Sequence, residues 1–140
     1  MPIQELKKVS GGFQKPIVLL IEDDKFLGGL LVQKLEKENF EAQIAVSAVD
    51  AFKLIEIEKP DVVLLDLVLP GMDGFQMIKE MKKNPQLSEI PVIALTNLSQ
   101  KDDIDRAFAS GAADYLIKSS STPGEIVEKI RNILSQKVTT

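Results

Sequence analysis

The chain has 140 residues, 44% of them hydrophobic and 27% charged, with a formal net charge of −4 and neither cysteine nor histidine. Those two absences exclude disulfides, thiolate nucleophiles, zinc–thiolate sites, histidine general bases and any phosphohistidine intermediate on this chain. The acidic balance points away from direct nucleic-acid binding, and no apolar run approaches the roughly 18–20 residues of a membrane span.

Residues 1–15 surround Ser10-Gly11-Gly12 without sustained apolar periodicity and are expected to be a flexible leader. Ile3, Leu6 and Val9 offer a short helical turn as the alternative. The start lacks the basic-then-apolar order of a signal peptide, so a cytoplasmic location is expected. Ile17-Val18-Leu19-Leu20-Ile21 is a continuous apolar strand that ends in Glu22-Asp23-Asp24. From Lys25 to Asn39, Leu27, Leu30, Leu31 and Leu35 share one helical face. Gly28 and Gly29 weaken that helix by about 1 kcal/mol each relative to Ala, so packing must hold its first turn.

Glu41 to Val46 alternates weakly and predicts a second strand. The helix after it contains Phe52, Leu54 and Ile55. Pro60-Asp61-Val62-Val63-Leu64-Leu65 then reads as a strand buried on both faces, closing on Asp66. Pro70-Gly71 and Asp73-Gly74 force a turn. The next helix directs Phe75, Ile78 and Met81 inward and stops at Asn84-Pro85.

Pro91-Val92-Ile93-Ala94-Leu95 is a further buried strand, ending at Thr96-Asn97. Lys101 to Ser110 is expected to be helical with Ile104, Ala107 and Phe108 inward, and Gly111 in its C′ position. Asp114-Tyr115-Leu116-Ile117 is a short last strand before Lys118. Thr122 or Ser121 caps a final helix that opens with Pro123 and buries Ile126, Val127, Ile130, Ile133 and Leu134. Strict alternation of five strands and five helices predicts one α/β domain over residues 16–136. It has a doubly wound parallel sheet joined by right-handed crossovers. Residues 137–140 are expected to be a polar tail.

The polar residues at the strand ends belong together. Ligands in open α/β sheets bind at the carboxyl edge, where this topology gathers Glu22, Asp23, Asp24, Asp66, Thr96 and Lys118. Taken singly, each has an ordinary explanation. Asp24 could N-cap the first helix, Lys118 could be a solvated surface lysine, Thr96 a cap, and Tyr115 half-buried packing. Taken together, crowded carboxylates call for a cation or a shared proton. An oxygen-only set suits Mg²⁺, with Mn²⁺ as the alternative, and a lysine beside it suits a phosphate oxygen.

From about Pro16 to Leu134 the chain resembles the receiver domain of two-component response regulators. The resemblance rests on Leu20-Ile21-Glu22-Asp23-Asp24, on Asp66 through Gly74, on Ala94-Leu95-Thr96 and on Gly111 through Lys118. It implies a flavodoxin-like (βα)5 fold with strand order 2-1-3-4-5, acting alone as a single receiver domain. It further implies that Asp66 is the phosphoacceptor and that Asp23, Asp66 and the Val68 backbone carbonyl hold Mg²⁺. Glu22 would act through water, Asp24 would stand outside the metal site, and Thr96 and Lys118 would contact the phosphoryl group. Tyr115 would be the aromatic switch residue.

The implied function is a phosphorylation-activated switch. The donor is a sensor histidine kinase or histidine phosphotransfer protein, and the output is a protein target or a receiver dimer reached through the α4, fifth-strand and α5 face. Lys101, Asp102, Asp103, Asp105 and Arg106 are either a charged dimer face or, more simply, a solvated helix surface. A receiver-like interaction module that signals without phosphorylation is the alternative. A haloacid-dehalogenase-type phosphatase needs a second acid where Val68 stands, and a dinucleotide-binding turn would not carry three acids.

Three departures from the family pattern stand out. Ser119 follows the lysine where most members have proline after a cis bond, and a cis bond before serine costs about 2.5–4 kcal/mol. Asn97 replaces the small residue common after the threonine and is expected to crowd the loop. Val68 and Leu98 are apolar where polar side chains often orient the hydrolytic water, which predicts slow autodephosphorylation.

Overall fold

The computed structural model describes residues 7–9 and 12–138. Among the described residues, seven strands and five α-helices follow in chain order: β1 Lys7–Val9, β2 Gly12–Gln14, β3 Ile17–Ile21, α1 Lys25–Lys37, β4 Glu41–Ala45, α2 Ala48–Ile57, β5 Val62–Leu65, α3 Gly74–Lys83, β6 Val92–Thr96, α4 Lys101–Ser110, β7 Asp114–Ile117 and α5 Pro123–Val138. A 3₁₀ turn, Lys118–Ser120, separates β7 from α5. The main sheet has the order β4-β3-β5-β6-β7, and every pairing in it is parallel. Counted from its own first strand, this is the expected 2-1-3-4-5 arrangement.

The apolar runs form central strands because both of their faces find helices. Leu19, Ile21, Val63, Leu65, Val92 and Ala94 pack with Ala51, Ile55, Phe75, Ile78, Met81 and Ala107 of α2, α3 and α4. Val18, Leu20, Val62, Leu64, Ile93 and Leu95 pack with Leu31, Leu35, Ile126, Ile130 and Ile133 of α1 and α5. β4, at one edge, fully buries only Ala45 and does not keep the alternation its sequence suggested.

Several expectations are corrected. Within the expected leader, residues 7–9 and 12–14 pair as an antiparallel ribbon with Lys7 opposite Gln14 and Val9 opposite Gly12. Val9 is therefore in a strand, whereas Ile3 and Leu6 lie outside the described residues. α5 runs to Val138, past the expected start of the tail.

In α1 the buried positions are Gly28, Leu31 and Leu35, and Leu30 is exposed. Gly28 lies against the tip of the Ile44 side chain, which would have to shift to admit a Cβ there. Leu31 and Leu35 face the sheet, so Leu30, about 100° back around the helix, turns outward. Phe108 is exposed as well, because α4 buries Ala107 and Ser110 while Phe108 lies a further 100° around the helix.

Local signals set the helix ends. Asp24 caps α1 by accepting from the backbone N–H groups of Phe26 and Leu27. Thr122 and Glu125 form a reciprocal capping box at α5, where Glu125 N–H donates to Thr122 Oγ1 at 3.1 Å and Thr122 N–H to Glu125 Oε1 at 3.0 Å. Gly111 ends α4 in the left-handed region at φ 119°.

Gly74, the first residue of α3, has a different reason to be glycine. A Cβ there would stand 2.5 Å from Leu67 Cα, in the segment that carries Asp66. Gly74→Ala is therefore expected to lower the unfolding free energy by about 1–3 kcal/mol, read as a reduced urea midpoint at unchanged m-value.

Candidate functional site

Backbone pairing continues one residue past the strands and brings the acids to one edge. Glu22 N–H donates to Ala45 O at 2.9 Å, and Asp66 N–H donates to Ile21 O at 3.0 Å. Asp66 and Glu22 are both buried, whereas Asp23 is exposed at the rim. Glu22, Asp23 and Asp66 each offer a carboxylate oxygen within 4.8 Å of the others. Three hard oxygen donors so close together fit a divalent cation of the Mg²⁺ or Ca²⁺ kind rather than a soft metal.

Lys118 enters from the far strand, β7. Its Nζ lies 2.7 Å from Asp66 Oδ2 and 2.5 Å from Glu22 Oε1. The remaining oxygens are held by backbone, Asp66 Oδ1 by Val68 N–H at 3.1 Å and Glu22 Oε2 by Asp24 N–H at 3.1 Å. Burial disfavours the Lys118 cation, but the hydrogen bonds to Asp66 and Glu22 more than offset it and raise its pKa above 10.5. Burial also pushes the Glu22 carboxyl above its usual range, with Lys118 opposing. The site thus stores one ammonium among three carboxylates, a negative pocket that favours cation entry.

The other expected residues lie close by. Thr96 ends β6 fully buried, and its hydroxyl accepts from Leu98 N–H at 3.4 Å instead of bonding to the Asp66–Lys118 pair. Tyr115 packs against the core with its hydroxyl donating to Leu98 O at 2.6 Å. Burial, then the charges of Asp103 and Asp66, raise the Tyr115 pKa, so the phenol stays protonated at neutral pH. Val68 is 59% exposed at the mouth, and Leu98 is half-buried. Asp24 is spent on the α1 cap.

The Lys118–Ser119 peptide is trans, as are all peptide bonds among the described residues. Serine lacks the tertiary amide that makes cis affordable before proline. Asn97 does more than occupy space: its Oδ1 accepts from Ser119 N–H at 3.0 Å. The Glu22–Lys118 ion pair was not legible either. The excess of strand-end acids over cations was its one sequence signal. On α4, Lys101 pairs with Asp105 at 2.8 Å, and the Arg106 guanidinium stacks 4.1 Å over the Phe75 ring. Those charges are thus partly engaged within the chain.

At the carboxyl edge of the doubly wound sheet, the acid cluster beside a lysine is a set of hard oxygen donors able to hold a divalent cation, unlike the glycine-rich turn of a dinucleotide crevice. The family model for the response regulator receiver domain matches residues 18–131, and the chain belongs to that family. It is 31% identical over 119 residues to the phosphate regulon transcriptional regulatory protein PhoB of Rhizobium meliloti, covering 85% of this chain and 52% of that protein. It is 34% identical over 119 residues to the DNA-binding dual master transcriptional regulator RpaA of Synechocystis, covering 85% and 49%. The chain therefore spans about half the length of these curated relatives. Among solved structures it resembles a response regulator from Chloroflexus aurantiacus, with TM-score 0.82, 30% identity and coverage of 87% of this chain and 99% of that one. None of the helices among the described residues is long and apolar enough to cross a membrane.

Proposed function

We propose that the chain is a phosphorylation-driven switch in a histidine-to-aspartate relay, with Asp66 as the acceptor. One observation carries this reading: the Lys118 ammonium is held 2.7 Å from Asp66 Oδ2 inside the carboxylate cluster. The donor is a phosphohistidine on a sensor kinase or phosphotransfer protein, since this chain has no histidine. An Asp66 oxygen attacks phosphorus in line as the P–N bond breaks; the imidazole nitrogen keeps that electron pair, and an acyl phosphate forms. Lys118 neutralises charge on the phosphoryl oxygens, and Thr96 supplies a hydroxyl donor. Mg²⁺, with Mn²⁺ as the alternative, would be held by Asp23, Asp66, the Val68 carbonyl and Glu22 through water. When bound it offsets the charge of the transferring group.

The new charge of about −1.5 to −2, by analogy with other phosphorylated side chains, draws Thr96 inward. Tyr115 follows, and the face of α4, β7 and α5 changes for a protein target or a second receiver. The net charge of −4 supports a protein partner over nucleic acid for these residues. The reading keeps the chain in the cytoplasm, where ATP loads the donor histidine.

Incubation with acetyl phosphate and Mg²⁺ is expected to add one phosphoryl group per chain by intact mass. An unchanged mass would favour the phosphorylation-independent module. Followed after desalting, the label should persist well beyond seconds, because Val68 and Leu98 give the hydrolytic water no polar anchor. Loss within seconds would overturn the slow-hydrolysis part alone.

A further inference from the structure

We propose that Asn97 is a positioning residue for the phosphoryl site. Its side chain latches the loop after β6 to the turn after β7, so that Thr96 and Lys118 approach the phosphoryl group as one unit. The inference rests on the function proposed above. Asn97 directly follows Thr96, and Ser119 directly follows Lys118; the 3.0 Å bond from Ser119 N–H to Asn97 Oδ1 joins positions 22 apart. Both residues are exposed, so the bond crosses the open end of the site rather than the core.

Two chemical features are required together. Residue 119 must carry a backbone N–H, which serine has and proline lacks. Residue 97 must reach across with an acceptor, which an alanine or glycine cannot do. A second tie lies one residue on, where the Tyr115 hydroxyl donates to Leu98 O at 2.6 Å. The loop after Thr96 is thus bonded at consecutive residues to β7 and to its exit. An advance of the Thr96 backbone toward Asp66 would pull on the Asn97 bond and with it on the Lys118 turn. In the Lys118–Ser119 segment, where no proline ring stiffens the backbone, that bond also fixes the base of the lysine.

Tyr115 is the single tyrosine and there is no tryptophan, so its emission reports the site directly. Beryllofluoride, a phosphoryl mimic, would be titrated with Mg²⁺ into the wild type, Asn97→Ala, Ser119→Pro and the double variant. Asn97→Ala is expected to raise the half-saturating beryllofluoride concentration about three- to tenfold, the range for loss of one hydrogen bond. Exchange of the Ser119 amide proton should accelerate alongside. The urea midpoint should stay put, because both partners are exposed.

Ser119→Pro should shift the titration in the same direction, and Asn97→Ala should add nothing further in that background. A full Asn97→Ala effect persisting in the Ser119→Pro background would overturn the latch. So would an unchanged titration by Asn97→Ala in protein whose wild type responds. A wild type that neither responds to beryllofluoride nor takes label from acetyl phosphate would overturn the latch and the proposed function together.

Discussion

Asp66→Asn is expected to abolish phosphorylation by acetyl phosphate in Mg²⁺ while leaving the fold intact. The substitution conserves volume and one carbonyl oxygen, which still accepts from Lys118, while Val68 N–H at the rim loses its acceptor. It removes the carboxylate oxygen that forms the bond to phosphorus, and an amide is no substitute nucleophile. It also removes one of the three carboxylate charges grouped within 4.8 Å. The rate should therefore fall below detection, not by a modest factor. The check is intact mass after incubation, with circular dichroism to verify the fold. Label persisting in this variant would place the acceptor elsewhere, with the exposed Asp23 carboxylate as the first candidate.

Lys118→Met should be the most destabilising single change at the site. It leaves Glu22 and Asp66, with side chains 1% and 8% exposed, facing each other without their shared cation. Breaking a buried pair from one side costs about 3–5 kcal/mol, a large part of a typical domain's 5–15 kcal/mol. The loss is expected in urea unfolding at neutral pH with a chelator present, and added Mg²⁺ should recover part of it by binding only the folded state.

The deficit should also depend on pH, with a definite sign. Burial already raises the Glu22 pKa above 4.5, and the Lys118 hydrogen bond is the largest influence opposing that rise. Without Lys118 the folded-state value climbs further, so above pH 4.5 the folded protein binds more protons than the unfolded chain. Stability of the variant then falls as pH rises through that window and recovers toward acid. An equal deficit at pH 5 and pH 7 would show that the carboxylates are not the source.

Much of this site was legible because strand ends are local features. An apolar run such as Val62–Leu65 must be buried, so the first charged residue after it marks the edge of the sheet. The same reasoning located Glu22, Thr96 and Lys118, while Asp-Gly and Pro-Gly pairs located the turns. The ribbon of β1 and β2 escaped because three-residue strands are too short to show alternation; the Ser10-Gly11-Gly12 cluster was its one available signal. Helix faces are less sharply encoded. Leu30 and Phe108 lie next to true core positions, and a sequence repeat near 3.6 residues leaves the rotation of a helix open by one position.

What the sequence by itself determined, then, was the order of elements, the parallel sheet and the set of residues delivered to its carboxyl edge. Each of those follows from burying runs of a few adjacent residues. Only the tertiary structure decided that Lys118 pairs with both Glu22 and Asp66, that Gly28 lies against Ile44, and that Asn97 holds Ser119. Those outcomes depend on ångström-scale distances between segments far apart in the chain. No spacing of letters encodes such distances until packing has fixed where each strand and helix lies.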